Sequence, residues 1–588
     1  MDEQQQRMAE ELLFSIKKKP SFAKMLYFGM LDGKDVLPYP QIPQGEQAQA
    51  SAFLKSVDAF AQQQMDADAI DRQAKIPDSV IQGLAKLGVL GATIPKEYGG
   101  LGLSHITYCK AIERISETCG ATAILINAHQ SIGVRALLLF GTPEQRRRWL
   151  PDLASGKKLA AFSLTEPNAG SDASAVETRA VFDPQKNVYR INGKKQWTTN
   201  GSIAQVLTVM AQTEVNTPSG KQDKVTAFLV TPDMPGFQIK AHALEKVGIR
   251  GTQTANLEFH DMEVPAENVL GPIGSGLKVC LTVLDFGRTT FGAMCTGASK
   301  LHVQRAIQHA CTRFQFKRPL ASFGLVKKKI ALMSALTYAM DATTYMTAGF
   351  IDSHIEDFML EAAILKVFAS ESLWTINYET MQIFGGRSFF TDEPFERMMR
   401  DARLNMIGEG SNEVMRAFIG AVGLRDLGMQ LKGIQDAFYN ISSDYKKLWG
   451  FGKSNLYRLF AKPLQVKSPL LSKEAIWLGV AVRQFGIACV RALAAYREEI
   501  LEKQMVLDRL ASIAIALYTT TAVLSKIDSE LERAGGDKSR LEHDLASAKL
   551  YCVHAKGIVD HALKTLFKND DREMELTSDC LTGIKQKW

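Results

Sequence analysis

Apolar side chains recur at helical spacing over the first part of the chain, from about residue 47 to residue 163. In the stretch AFLKSVDAFAQQ, Phe53, Val57 and Phe60 fall on one face of a helix, and SVIQGLAKLGVL repeats this pattern. The glycine-rich stretch EYGGLGL separates such segments. The pattern predicts an N-terminal helical domain over 47–163, preceded by an N-terminal extension over 1–46.

The hydrophobic period changes near residue 164 and changes back near residue 275. Between these points lie short runs rich in β-branched residues and bounded by Gly, Pro, Asn or Asp, namely VYRINGKKQWTTNG, VLTVMAQT, VTAFLVTP and ANLEFHDMEVP. These runs predict a middle β domain over 164–274. Helical spacing then returns, and it predicts a helical bundle domain over 275–431.

The pattern is interrupted again over 432–474. Within it, the segment 445–474 carries seven basic residues interleaved with aromatic and aliphatic ones. Such a segment is typical of an anchor at the membrane surface, and a solvated linker is the alternative. Beyond it, helical spacing predicts a C-terminal helical extension domain over 475–588.

Composition narrows the class of protein without assigning a function. A chain of 588 residues with 46% apolar and 23% charged residues is expected to form several soluble domains, and a net charge of +7 does not by itself indicate nucleic acid. The eight cysteines form no CxxC pair, so we expect neither a metal site nor a disulfide framework. The start of the chain lacks the build of a signal peptide, and no run of eighteen apolar residues occurs. We therefore expect no transmembrane segment and a reducing, cytoplasmic or matrix-like compartment, with peripheral contact to an inner membrane left open.

Short motifs carry the chemistry, and their order along the chain is informative. The motifs are EYGGLGL (97–103), AHQSIG (128–133), AAFSLTEPNAGSD (160–172), QWTTNG (196–201), PAENVLG (265–271), RFQFKRPLASFGL (313–325), QIFGGRSFF (382–390) and GEGSNEV (408–414). Together they resemble the acyl-CoA dehydrogenase family over nearly the whole chain, and most of all its very-long-chain branch with a C-terminal helical extension. The resemblance implies a mainly α fold with a β-barrel-like middle domain and a C-terminal four-helix bundle, plus a further helical domain.

The resemblance implies FAD as the cofactor. A strand that runs into a Gly/Ser/Asn loop can offer amides and hydroxyls to a flavin and its phosphates, although an ordinary strand-end turn is the alternative. An indole offers a rigid wall to a flavin ring, although a core tryptophan is the competing interpretation. The site would be shared between subunits, which implies at least a dimer and favours a homodimer. By resemblance, the cofactor-binding residues are Phe162, Leu164, Thr165, Ser171, Trp197, Thr199, Arg313, Gln315, Phe316, Gln382, Gly385, Gly386, Ser411 and Glu413.

Glu409, between two glycines, is the candidate catalytic base. In the family this glutamate removes the α-proton of an acyl thioester while the β-hydrogen leaves as hydride to flavin N5. A carboxylate suits this role if burial raises its pKa toward the working pH. Ser411 could cap the helix that follows. The implied substrate-binding residues are Ser171, Asp285, Arg288 and Gly410, although Asp285 and Arg288 at i, i+3 are also typical of a surface ion pair.

The chain departs from the family pattern at three places. Gly408 precedes the base where a bulky residue is usual, and Ser388 stands where a further glycine is usual. Ala123 and Asn127 occupy positions where the very-long-chain branch has glycines that deepen the acyl well. Side chains at these two positions should shorten or polarise that well.

These observations predict an FAD-dependent acyl-CoA dehydrogenase of fatty-acid β-oxidation. It would convert a long-chain acyl-CoA to trans-2-enoyl-CoA and pass electrons to electron-transferring flavoprotein. One alternative is an assembly or scaffold protein that keeps the fold and has weakened turnover, which Gly408 and Ser388 favour. Another is an acyl-CoA oxidase, which the short β domain argues against.

Overall fold

The computed structural model describes residues 20–218, 220–439, 462–535 and 537–584, with backbone alone for 432–439. The chain forms two compact units. The first holds Pro40–Ser411, and the second combines Pro20–Tyr39 with the chain from Asn412 onward. The predicted combination of helices, a β domain and further helices is confirmed, and its sheet is curled into a half-barrel.

The first unit opens with a series of helices, three of which begin at a polar cap, Asp66, Ser104 or Thr142. The Oγ of Ser104 accepts the backbone N–H of Thr107 at 3.2 Å, and Thr142 forms a reciprocal capping box with Gln145. Between these helices the backbone widens into a buried π-helical segment, Asn127–Val134. The α-helices are Gln47–Gln64, Ala67–Gln73, Asp78–Lys86, His105–Thr118, Gly120–Ile126, Arg135–Phe140 and Pro143–Ala154.

An eight-stranded sheet follows. The strands are β1 (Ala160–Ser163), β2 (Arg179–Asp183), β3 (Val188–Thr199), β4 (Val206–Thr217), β5 (Gly220–Val230), β6 (Phe237–Ala241), β7 (Thr254–Pro265) and β8 (Val269–Leu270). Their order in the sheet is β6-β7-β3-β2-β4-β5-β8, with β1 parallel to β4. Apolar side chains of one set of strand positions pack with the preceding helices, and those of the other set form a second core within the β domain. This burial on both faces explains the β-branched runs in the sequence.

Long helices complete the first unit. The helix Gly276–Thr312 packs along Met359–Phe384 and along His105–Thr118, and it forms one wall of the candidate site. A two-stranded hairpin, β9 (Phe314–Gln315) with β10 (Arg318–Pro319), separates it from the next helix. The helices are Gly276–Thr312, Gly324–Asp352, Met359–Phe384 and Phe395–Asn405.

The second unit is helical and includes a segment from the beginning of the chain. The Tyr27 hydroxyl donates to the carbonyl of Ile419 at 2.8 Å, and its ring lies 4.7 Å from that of Phe485. Residues 20–39 therefore pack with the C-terminal helices, which the sequence pattern did not indicate. The helices of this unit are Phe22–Tyr27, Asn412–Tyr439, Ser472–Tyr496, Gln504–Arg533, Glu542–Thr565 and Asp571–Thr582.

Two expectations concern membranes: that the chain has no transmembrane segment, and that residues 445–474 form an anchor at the membrane surface. By length and composition alone, three helical stretches in the described ranges are apolar enough to cross a membrane: Gly120–Phe140, Pro469–Leu501 and Gln504–Arg533. Length and composition do not show that these helices span a membrane, so the expectation of no transmembrane segment stays a prediction. The proposed anchor over 445–474 falls largely on residues 440–461, which lie outside the described residues.

Candidate active site

Glu409 stands in the loop between the helices Phe395–Asn405 and Asn412–Tyr439, with a left-handed backbone (φ +57°). This conformation is strained for a residue with a β-carbon, so the surrounding contacts must hold it. Gly410 also has positive φ, at +92°. The residue as a whole is half-buried, but its carboxylate oxygen Oε2 is fully buried. The backbone therefore turns this side chain inward, which a solvated surface turn would not do.

Two elements close around the carboxylate. Asn127 Nδ2 donates a 3.0 Å hydrogen bond to Glu409 Oε1 from the start of the π-helical segment. On the opposite wall, a β-carbon at Gly287 would lie 2.5 Å from Oε2, so the carboxylate rests directly on the backbone of that glycine. Among the residues that the structure describes, Oε2 has no hydrogen-bond partner. One oxygen is thus held, and the other is free to accept a proton.

Burial sets the protonation behaviour of this group. Desolvation raises the pKa of Glu409 from 4.5 to about 7, and the nearby Asp285 carboxylate also raises it. The charges of Arg288 and Lys366 and the Asn127 hydrogen bond lower the pKa but do not offset burial. A pKa near 7 suits a group that takes up and releases a proton at neutral pH.

Asp285 and Arg288 form a buried ion pair rather than a surface pair. Arg288 Nη1 lies 3.0 Å from Asp285 Oδ1, and the side chains are 4% and 9% exposed. Arg288 Nε also donates to the backbone carbonyl of Glu409 at 3.3 Å. The structure therefore brings these two predicted substrate-binding residues next to Glu409.

Lys366 is a site residue that the sequence interpretation missed. It is 1% exposed on the helix Met359–Phe384, and its Nζ donates to the carbonyl of Gly410 at 2.6 Å. Burial lowers its pKa to about 8, while the Glu409 charge opposes this shift. The signal was a lysine inside the otherwise apolar run from Ala362 to Ala369, because a buried lysine needs a partner. Asn127 was noted as a wall residue, but its bond to the base was not foreseen.

The strand-end loop and the segment around Trp197 lie side by side. The backbone N–H of Gln196 donates to the carbonyl of Thr165 at 2.9 Å. Lys195 Nζ donates to the Leu164 carbonyl at 2.9 Å and pairs with Glu166 at 2.6 Å, both side chains being buried. This pair fixes the path of the loop. Phe162, Leu164 and Thr165 are left half-buried at the edge of the sheet, and Thr199 lies half-buried at the end of β3.

Trp197 is exposed where a core tryptophan would be buried. Its side chain is 62% exposed, and its backbone is left-handed (φ +58°), with its N–H bonded to Asn256 Oδ1 at 3.2 Å. A strained backbone that presents an indole outward fits a surface for a flat ring.

The remaining cofactor-binding candidates gather at one end of the helical bundle. The rings of His309 and Phe384 stack at 4.2 Å, which brings the hairpin after Thr312 close to Gly385. A β-carbon at Gly385 or Gly386 would meet nothing within 4 Å, and the side chain of Phe316 is 84% exposed. Arg313, Gln315 and Gln382 are exposed as well. In the single chain these residues form an exposed surface of basic and aromatic side chains at this end of the helical bundle.

Two positions that depart from the family pattern are locally well formed. The Ser388 hydroxyl lies 2.8 Å from the Gly385 carbonyl and 2.9 Å from the Met381 carbonyl, so it closes the turn after the helix. A β-carbon at Gly408 would meet nothing nearer than Leu404, at 3.6 Å. Neither position disturbs the base.

Three candidates are placed without a role in this cluster. Ser171 lies exposed in the loop after β1. Ser411 directly precedes the helix Asn412–Tyr439, and Glu413 lies in its first turn, in the second unit.

Four family models match most of the chain. The chain matches the N-terminal domain of acyl-CoA dehydrogenase over 47–157, the middle domain over 161–262 and the C-terminal domain over 274–424. A fourth model, the ACAD9/ACADV C-terminal domain, matches 469–581.

Individual relatives agree with these matches. The chain is 34% identical to the very long-chain specific acyl-CoA dehydrogenase of Macaca fascicularis over 95% of this chain and 85% of the relative. It is similar in structure to an acyl-CoA dehydrogenase from Bacillus anthracis solved with FAD, with a TM-score of 0.76, 28% identity and 92% of each chain covered. It also resembles butyryl-CoA dehydrogenase from Megasphaera elsdenii, with a TM-score of 0.60 and 33% identity over 63% of this chain and 97% of the other.

Proposed function

Because the chain belongs to the acyl-CoA dehydrogenase family, we propose that it oxidises an acyl-CoA to the trans-2-enoyl-CoA with Glu409 as the base. It is an oxidoreductase, and its flavin cofactor is FAD. The observation that carries the proposal is the buried carboxylate of Glu409, which has one oxygen held by Asn127 and the other without a partner among the described residues.

The residues present fit FAD. The outward-facing Trp197 beside the half-buried Thr165 suits the flat ring system, and the open glycines 385 and 386 next to exposed arginines suit a phosphate-bearing chain. Phe162, Leu164 and Thr199 would line the ring system, and Arg313 and Gln382 would contact the rest of the molecule. When bound, FAD supplies the acceptor for the β-hydride.

The chain itself supplies the proton acceptor and its alignment. Glu409 removes the α-proton, and its raised pKa lets the carboxyl keep that proton until the product leaves. Arg288 and Lys366 bind the carbonyls of Glu409 and Gly410, and so they hold the left-handed backbone that aims the base. Arg288 with Asp285 provides a buried polar wall for the substrate near its CoA portion.

The proposal includes partners that follow from the family. Electrons would pass to electron-transferring flavoprotein. The exposed phenylalanines 314, 316, 389 and 390 at the bundle end support a homodimer in which this end meets a second copy and completes the FAD site. Peripheral membrane contact through 445–474 is part of the same proposal.

An assembly or scaffold protein with weakened turnover is the second candidate. Its support was Gly408 beside the base and Ser388 in the glycine turn. Both positions are accommodated without displacing Glu409, so the observed geometry favours an active dehydrogenase. Transfer of electrons to oxygen would mark an oxidase instead.

Anaerobic titration of the purified FAD-loaded protein with acyl-CoAs of stepped chain length tests the proposal. We expect bleaching of the flavin absorbance, which Glu409→Gln abolishes and the exposed surface variant Glu144→Gln leaves intact. A flavin that no acyl-CoA bleaches would overturn the dehydrogenase and favour the scaffold. Reoxidation by air at the rate of turnover would favour the oxidase.

A further inference from the structure

Among the residues that the structure describes, Asn127 is the one whose side chain bonds the carboxylate of Glu409 directly. Its Nδ2 lies 3.0 Å from Oε1, and Asn127 itself is 2% exposed. The family resemblance assigns no such role to this position, where the very-long-chain branch has glycine. The contact therefore belongs to this chain's own version of the site.

The turn that carries Asn127 is rigidly anchored. Asn127 begins the π-helical segment, a widened turn of a kind found frequently at functional sites. The three residues that follow Ala128 each bind a different neighbouring element. His129 Nδ1 accepts the backbone N–H of Ala160 at 2.9 Å, Gln130 Oε1 accepts that of Ala92 at 3.0 Å, and Ser131 Oγ lies 2.9 Å from Thr290 Oγ1. The amide of Asn127 is thus presented from a fixed backbone.

The amide also distinguishes the two oxygens of the base. Oε1 accepts from Asn127, while Oε2, over Gly287, has no partner in the part of the chain that the structure describes. Asn127 Oδ1 is also buried, and it has no hydrogen-bond partner among the described residues. The opposite amide orientation would set two acceptor oxygens against each other, so the ionised carboxylate selects the observed one.

Other charged and titratable groups surround the base. The helix Gly276–Thr312 contributes Asp285, Arg288 and the thiol of Cys280, and the helix Met359–Phe384 contributes Lys366. These groups act on Glu409 through the backbone of residues 409 and 410 or at longer range, whereas Asn127 bonds the carboxylate itself. A change at Asn127 therefore alters a single contact of the carboxylate and leaves these charges in place.

We propose that Asn127 is a positioning residue of the proposed dehydrogenase: its amide pins Oε1 of Glu409 in the ionised state and thereby leaves Oε2 as the oxygen that takes the α-proton. The inference rests on the proposed function of Glu409. Without this hydrogen bond the ionised carboxylate loses a donor, so its protonated form is favoured and the base remains inactive to higher pH.

The test compares two near-isosteric replacements. Asn127→Leu removes the donor without adding charge, and Asn127→Asp removes it and adds a like charge. We expect the acid limb of the pH profile of flavin reduction to move up by about one pH unit in Asn127→Leu and further in Asn127→Asp. The matched control is Asn377→Leu, which removes a buried amide that lies 3.1 Å from His302 Nε2, away from the base, and should not move the limb.

A second readout does not depend on turnover. Infrared difference spectra against Glu409→Gln report ionisation of the Glu409 carboxyl directly. The pKa of this carboxyl should be lowest in the parent, higher in Asn127→Leu and highest in Asn127→Asp. Flavin absorbance and thermal unfolding establish that each variant is folded.

An unmoved carboxyl titration in both variants, or an equal loss of rate at every pH, would overturn the role of Asn127. A parent protein whose flavin no acyl-CoA reduces would instead refute the proposed function, while the infrared titration would still report on the Asn127–Glu409 contact.

Discussion

At the scale of single residues, the site depends on how burial acts on one carboxylate. Glu409 has the composition of a surface turn, Gly-Glu-Gly, yet its Oε2 is fully enclosed. Removing a carboxylate from water disfavours its charged form, and the two neighbouring cations recover only part of that cost. Two consequences can be measured, one kinetic and one thermodynamic.

The kinetic consequence concerns the pH dependence of flavin reduction. Because the base must be ionised and its pKa is raised to about 7, we expect the rate constant for flavin reduction by acyl-CoA to rise with pH through about 7 and to level off above it. Stopped-flow spectroscopy between pH 5.5 and 9 measures this limb. A rate already at its plateau at about pH 5.5 would show that Glu409 ionises as an exposed glutamate does.

The thermodynamic consequence has a definite sign. The folded state keeps the Glu409 proton up to about pH 7, whereas the unfolded state releases it near 4.5. The folded state therefore binds more protons in this window, and stability falls as pH rises through it. Since glutamine cannot ionise, Glu409→Gln should be more stable than the parent at pH 8, by about 1–3 kcal/mol.

Thermal unfolding of substrate-free protein at pH 5 and pH 8 measures this difference. We expect the gap between Glu409→Gln and the parent to be small at pH 5 and to widen at pH 8. A gap that is the same at both pH values would contradict the role of burial, because glutamine would then be stabilising for another reason.

At the scale of elements, the position of the base depends on the close approach of one helix. Gly287 in the helix Gly276–Thr312 leaves the space that the carboxylate of Glu409 fills. The π-helical segment Asn127–Val134 approaches from the other side and supplies the amide. A helix with a side chain at residue 287 would exclude the base from this position.

Gly287→Ala should therefore lower the rate of flavin reduction by about 100-fold, because its β-carbon would lie 2.5 Å from Oε2 and force the base to move. Gly557→Ala, at a helical glycine where a β-carbon meets nothing within 4 Å, is the matched control and should leave the rate unchanged. Stopped-flow reduction at saturating acyl-CoA measures both. An unaltered rate in Gly287→Ala would mean that the carboxylate can act from elsewhere.

At the scale of the whole molecule, the second unit is assembled from both ends of the sequence. Residues 20–39 pack with helices far along the chain. The Tyr27 hydroxyl bonds Ile419, 392 residues later, and the Tyr39 N–H donates to Ser529 Oγ at 3.0 Å, 490 residues later. The ring of Tyr27 is fully buried in this unit.

Tyr27→Ala should destabilise the second unit by about 3–5 kcal/mol, because it removes a large buried side chain. Tyr27→Phe keeps the ring and loses the hydrogen bond to Ile419, so it should cost about 1 kcal/mol. Hydrogen exchange of amides in the helix Ser472–Tyr496 measures both effects. Equal protection in parent and Tyr27→Ala would show that the N-terminal segment does not support this helix.

The sequence by itself determined the family, the mainly α fold with its β domain and the identity of the candidate base. The period of apolar residues follows local burial, and the residues of one motif, such as GEGSNEV, are neighbours in the sequence. The tertiary structure decided the surroundings of the base. Asn127, Gly287 and Lys366 meet Glu409 and Gly410 from segments far apart in sequence, and periodicity cannot show which distant side chains share a buried space. The sequence therefore identifies Glu409 as the candidate base. The tertiary structure determines its pKa, because that pKa depends on burial by these distant segments.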